Sequence, residues 1–283
     1  MTQEQAVTAL VNWIYNTPPW LTTGVFVALA CALIAIVLIP FRLVVRREFR
    51  SKHHEVFAFA VTNIAVLYAV LLAFIAVATW ENFSHAGNLA EVEADLTGNL
   101  LRDVDGLGSN PTTSALRASL HQYLALVVTK EWPDQQEGRT PTAGWPALET
   151  FQRTLLAVQP QGPAQTLLVP EMLHTLNELY TARRSRVDAS QEHIPAVVWD
   201  VLLIMGALTV GFTFLLGVES LWAHLIASVG VGVALVLVVA LIVQLDYPFR
   251  GTLSVSADPY ESVIANMDQP HPAVVQRAGS GTQ

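Results

Sequence analysis

Apolar and polar positions fall along this chain in long blocks. Four stretches carry no Asp, Glu, Lys or Arg: Gln5–Phe41, Val56–Trp80, Val201–Val218 and Ser220–Leu245. They stand two and two around a polar middle, Glu81–Pro195. A charge-free apolar run of about twenty residues crosses the hydrocarbon core as a helix, because no water is there to satisfy any other backbone. The expected spans are residues 20–41, 56–80, 196–216 and 221–245. The predicted fold is therefore all-α, a polytopic membrane protein. Its hairpins, 20–80 and 196–246, flank a helical extramembrane domain at 81–195, with an interfacial segment at 1–19 and a tail at 247–283. Trp20, Trp80, Trp199, Trp222 and Tyr247 fall near span ends, where amphipathic rings favour the headgroup layer.

Shorter periods fill in the remainder. Val7, Leu10, Val11 and Ile14 recur at helical spacing before Pro18-Pro19, which predicts a helix lying in the interface. Met1–Trp20 holds no Lys or Arg and leads into a run too long for a signal core, so no secretory signal is expected. Beyond Trp80 the spacing of Leu89, Val92, Leu96, Leu100, Val104 and Leu107 predicts that the second span continues as one helix to Gly106. Further helices are expected over Ser114–Glu131, closed by Trp132-Pro133, over Trp145–Val158, and from Pro170 towards Asp188. Gln269–Gln283 is expected to be disordered.

Charge adds orientation and excludes one partner class. Glu81–Pro195 holds 14 acids against 8 bases, which disfavours nucleic acid, since phosphate binding needs clustered Lys and Arg. Arg42, Arg46, Arg47, Arg50 and Lys52 place five of the 15 basic residues in the loop at 42–55. The positive-inside bias puts that loop in the cytoplasm and the middle domain outside. Arg183, Arg184 and Arg186, just before the third span, pull the other way. The single cysteine, Cys31, permits no disulfide within the chain.

Candidate chemistry concentrates in the second span. Ala58, Thr62, Ala65, Ala69, Ala73 and Ala76 form a small-residue stripe that lets helix backbones approach, against a neighbour in the same chain or another copy. Asn63, Val66, Val70, Phe74 and Val77 make another face, with Asn63 expected to bond across helices or to line a wet cavity. Asp200 and His224 are polar candidates near the starts of the third and fourth spans. His53-His54-Glu55 is a local cluster better suited to a solvated loop than to a metal. No His-Glu-x-x-His, phosphate-binding Gly-rich loop or Gly-x-Ser-x-Gly turn is present, so no catalytic residue, metal or cofactor is expected.

Two segments carry a resemblance. Val70-Leu71-Leu72-Ala73-Phe74 with Trp80-Glu81-Asn82-Phe83 resembles the second membrane helix of the bestrophin anion channels. Leu245-Asp246-Tyr247-Pro248-Phe249-Arg250-Gly251 is similar to the segment after their last span, with Asp246, Pro248 and Phe249 as its marks. From the first span to Glu261 the chain looks closer still to the bacterial bestrophin-like membrane proteins, a group without an assigned function. The resemblance implies an oligomer in which Val66, Val70 and Phe74 form the apolar neck of a path for small anions. It also departs. Asn82-Phe83 stand where the channels carry an Arg, and Thr252–Ala257 lacks the acids of their calcium clasp, so calcium gating is not expected. The bestrophin middle domain lies in the cytoplasm, opposite to the placement the basic loop gives. The functional expectation is a homo-oligomeric anion channel or transport protein in a bacterial inner membrane. The alternative is a membrane-anchored sensor or scaffold. An enzyme using Asp200 ranks last, since no second catalytic group accompanies it.

Overall fold

In a computed structural model of the chain, residues 11–45 and 47–267 are described. Val7, Leu10, Arg46, the side chain of Arg47 and Gln269–Gln283 lie outside the description. Every regular element among the described residues is helical. After a helical stretch at 11–16, the helices are α1 (Pro19–Val44), α2 (Arg47–Lys52), α3 (His54–Gly106), α4 (Pro111–Leu126), α5 (Trp132–Gln136), α6 (Trp145–Leu156), α7 (Pro163–Ala189), α8 (Ala196–Phe214), α9 (Leu221–Leu245) and α10 (Asp258–Met267). Among them α1, α3, α8 and α9 are long and apolar enough to cross a membrane.

The chain divides into two compact units. The first takes the described residues up to Leu89, Asp134–Thr140 and Arg184–Ser256. Its helices meet in two apolar clusters. Tyr68 and Leu72 of α3 pack on Leu202 of α8 and Ile242 of α9, and Ile34 and Leu38 of α1 pack on Phe214 of α8. Polar side chains within these helices are satisfied locally: Thr213 Oγ1 donates to Ser228 Oγ at 3.0 Å, and Gln244 Nε2 donates to Thr23 Oγ1 at 2.9 Å. Trp20, Trp80 and Trp222 are exposed, as rings seeking the headgroup layer must be.

The second unit takes Ala90–Pro133, Pro141–Arg183 and the described residues from Ala257 on. Its core is made of Leu100 and Val104 of α3, Leu116, Leu120 and Leu124 of α4, Leu148 and Phe151 of α6, and Met172, Leu176 and Leu179 of α7. Asn110 accepts the Thr113 N–H at 2.9 Å and Pro111 opens α4, so the helix starts one turn before the expected Ser114.

Two expectations are corrected, and the tail gains an element that was not foreseen. The helix expected to stop at Trp132-Pro133 instead passes through a π-turn, Val127–Glu131, into α5. The wider turn precedes Pro133, whose ring in a regular helix would strike the carbonyl four residues back. Helix α7 begins at Pro163 and keeps Pro170 in its interior. Its first turn is fastened by the Thr166 N–H on the Gly162 carbonyl and by the Gln165 side chain, which accepts the Gln161 N–H. Within the tail, Asp258–Met267 is a helix, with Tyr260 fully buried edge-on to Trp132 at 5.3 Å.

Candidate functional site

The membrane portion of α3 has one covered half and one open half. Tyr68, Leu72 and Thr79 are buried, whereas Val66, Val70, Phe74 and Val77 are 58%, 50%, 72% and 55% exposed. At about 100° per residue these four and Asn63 fall in one arc opposite the buried face. The small stripe lies on its flank, with Thr62, Ala69 and Ala73 exposed and Ala58, Ala65 and Ala76 half-buried. Its own chain therefore leaves much of that stripe open. Among the described residues of its own chain Asn63 bonds within α3, its Nδ2 donating back to the Phe59 carbonyl at 2.7 Å. Past the apolar positions the same arc continues with Glu81, His85 and Asn88, all exposed.

The remaining candidates separate. Asp200 is exposed in the second turn of α8. His224 is buried (1% exposed), its Nε2–H donating to the Thr213 carbonyl at 2.8 Å and its Nδ1 facing Arg42 Nη1 at 3.4 Å. Several basic-loop residues are tied down rather than loose. Arg42 donates to the carbonyls of Val218, Glu219 and Ser220 at 3.2, 2.9 and 3.1 Å, and Arg50 is buried. Lys52 is exposed, and His54 accepts the Gly217 N–H at 3.2 Å. Among the described residues no group of three or more His, Cys, Asp and Glu is placed to hold a metal.

The segment after α9 works as a clasp. Asp246 Oδ1 accepts the Ile194 N–H at 2.7 Å, tying the end of α9 to the entry of α8. Pro248 and Phe249 are buried. The Arg250 guanidinium lies against the rings of Tyr15 at 5.5 Å and Tyr247 at 5.4 Å, and donates to Asn12 Oδ1 at 2.8 Å. Gly251 follows at φ +82°, where an added Cβ would stand 2.9 Å from the Tyr15 carbonyl oxygen. Gly251→Ala is expected to cost about 1–3 kcal/mol through that backbone strain. A thermal unfolding midpoint in detergent equal to wild type would remove this role from Gly251.

The second unit holds a site that sequence reasoning missed. Arg183, Glu131, Tyr123 and Glu93 are all fully buried. Arg183 grips Glu131 with two bonds, Nη1 to Oε2 at 2.7 Å and Nη2 to Oε1 at 2.6 Å. The Gly144 N–H donates to Glu131 Oε1 at 2.6 Å, the Tyr123 hydroxyl donates to Glu93, and the Trp145 ring lies 4.8 Å from the guanidinium. Burial works against the charge on Arg183, but the bonds to Glu131 and the contact with Tyr123 more than restore it and push its pKa up. The network is buried throughout, which suits a structural lock, although Arg183 Nε finds no hydrogen-bond partner among the described residues. The signal lay in the spacing: Met172, Leu176, Leu179, Arg183 and Arg186 recur three or four apart, which puts both arginines on the apolar stripe of α7.

No curated protein matches the chain. Among solved structures, a bestrophin homologue from Klebsiella pneumoniae bearing an isoleucine-to-threonine change aligns with a TM-score of 0.65 at 12% identity, over 87% of this chain and 98% of that one. A leucine-to-threonine variant of the homologue gives 0.63 at 12%, over 85% and 97%. A membrane-protein crystal structure with a proline-to-alanine change gives 0.64 at 12%, over 87% and 97%. At such identities the likeness is one of fold, and its coverage extends across both units. Residues 28–260 match the Bestrophin-like domain, a span that runs from α1 through the clasp after α9 to Tyr260, and the chain belongs to that family.

Proposed function

We propose that the chain forms a homo-oligomer in the cytoplasmic membrane of a bacterium, with the open half of α3 lining a path for small ions. The observation that carries this reading is the composition of that half. A helix facing only lipid tails has no use for Asn63, nor for the exposed small residues Thr62, Ala69 and Ala73. A second copy packed on the small flank would leave Val66, Val70 and Phe74 facing inward as apolar rings, and such rings gate by dewetting.

The sign of the ion has two readings. Resemblance to the bestrophin channels makes small anions the first. Glu81 favours the second, because it is the first charged group past the neck on the same arc, and rings of carboxylates select cations. Reversal potentials of the purified protein in planar bilayers under a salt gradient decide between them. A potential on the anion side supports the first. A potential on the cation side, weakened in Glu81→Gln, supports the second, and absence of any current ends the channel reading.

Orientation follows from the basic loop. Five bases between the first two spans place that loop in the cytoplasm and residues 81–195 outside. Alkaline phosphatase fused after Gly138 is then expected to be active. An inactive fusion there, together with fluorescence from green fluorescent protein fused at the same point, would turn the molecule over.

A further inference from the structure

Among the described residues, three neighbours hold the turn at residues 215–220, between α8 and α9, and two of the contacts depend on neutral imidazoles. Arg42 of α1 caps the carbonyls of Val218, Glu219 and Ser220 and places Nη1 3.4 Å from His224 Nδ1. His54, the first residue of α3, accepts the Gly217 N–H on its own Nδ1 at 3.2 Å. The Arg50 backbone closes the third side, so tightly that a Cβ on Gly217 would stand 2.9 Å from its carbonyl oxygen. Because His224 Nε2–H is committed to the Thr213 carbonyl, its Nδ1 must carry the lone pair that Arg42 meets. A guanidinium N–H and a peptide N–H can only donate, so both ties need an unprotonated Nδ1.

We propose that His54 and His224 form a proton-sensitive latch on the 215–220 turn, closed when both imidazoles are neutral and released on acidification of the compartment that bathes it. Protonation puts a hydrogen on each Nδ1 and turns two attractive contacts into donor-against-donor contacts. A proton on the exposed His54 frees Gly217. The loosened turn then admits water to His224, where a proton adds a positive charge beside Arg42 and Arg50, the charged groups that act on that ring among the described residues. Glu219 on the turn, Lys52 and Glu55 on either side of His53-His54, and Arg46, Arg47 and Glu48 before them are the other charges nearby in sequence. Since His54 opens the helix assigned above to the ion path, release of the latch frees the first turn of that helix. This last step rests on the channel reading; the latch itself does not.

The test is a nitroxide on Glu219→Cys in a Cys31→Ser background, using the full chain reconstituted in vesicles. Its spectrum should be immobilised near about pH 8, with the mobile fraction rising several-fold towards about pH 5, the range in which histidine titrates. Gln offers one acceptor and one donor, so the His54→Gln/His224→Gln double variant should stay immobilised throughout. The same pH response in that variant, or a flat response in the wild type, overturns the latch. Bilayer currents recorded over the same pH range read the coupling separately: a mobile turn with unchanged current overturns the coupling and leaves the latch standing.

Discussion

Arg183→Ala is expected to destabilise the second unit by about 3–5 kcal/mol, the cost of leaving a buried partner charge uncompensated. The geometry places it at the severe end for single substitutions. Both partners are fully buried and the grip is bidentate, a match that the Gly144 N–H on Glu131 cannot replace. Trp145 would lose the cation over its ring and act as a local reporter. Denaturant unfolding in detergent, followed by tryptophan fluorescence, measures the loss, and a midpoint within about 0.5 kcal/mol of wild type would show the pair to be dispensable. Arg183→Met with Glu131→Leu is expected to recover most of the loss, because well-packed apolar replacements of a buried pair are close to neutral. Recovery would show that the pair specifies how the helices meet more than it stabilises them.

That network also marks where sequence reading stops. The spans could be read because charge is forbidden over a fixed length, a local constraint that Val56–Trp80 or Ser220–Leu245 states without reference to any other residue. The arc of Val66, Val70 and Phe74 could be read from spacing alone. Its exposure could not, since that depends on where α8 and α9 place Leu202 and Ile242 against Tyr68 and Leu72. Arg183 and Arg186 resembled topological charges because they flank Arg184 ahead of a span, and Glu131 is 52 residues away from Arg183. Burial of such a pair is a tertiary outcome, visible in the sequence only as an apolar stripe that ends in arginines. The helix at Asp258–Met267 was signalled more plainly. Asp258 and Pro259 with Glu261 in the first turn make a helix start, within a tail where Pro and Gly on either side dilute the pattern. Arg42 and His54 belong to a further class, in which loop residues are recruited as caps by a turn more than 160 residues away.

Phe74→Ala is expected to raise single-channel conductance several-fold while leaving the fold intact, a separation that follows from where the ring points. Phe74 is 72% exposed within its own chain, so its removal forfeits little packing, and a stability change within about 0.5 kcal/mol is expected. In an oligomer with this arc inward, the same ring is the bulkiest of three apolar layers, Val66, Val70 and Phe74, spaced by about 6 Å at four residues each. Truncating it widens the layer nearest Glu81 and lowers the cost of wetting the neck. Leu72 supplies the opposite behaviour two residues away. It is 3% exposed in the cluster with Tyr68, Leu202 and Ile242, so Leu72→Ala should cost about 2–5 kcal/mol through lost packing and a cavity, with unit conductance unchanged. Recording both variants in bilayers beside their unfolding midpoints puts the arc itself on trial. If Phe74→Ala leaves conductance at the wild-type value, or if Leu72→Ala alters conductance and Phe74→Ala alters stability, the open half of α3 faces lipid and the ion path lies elsewhere.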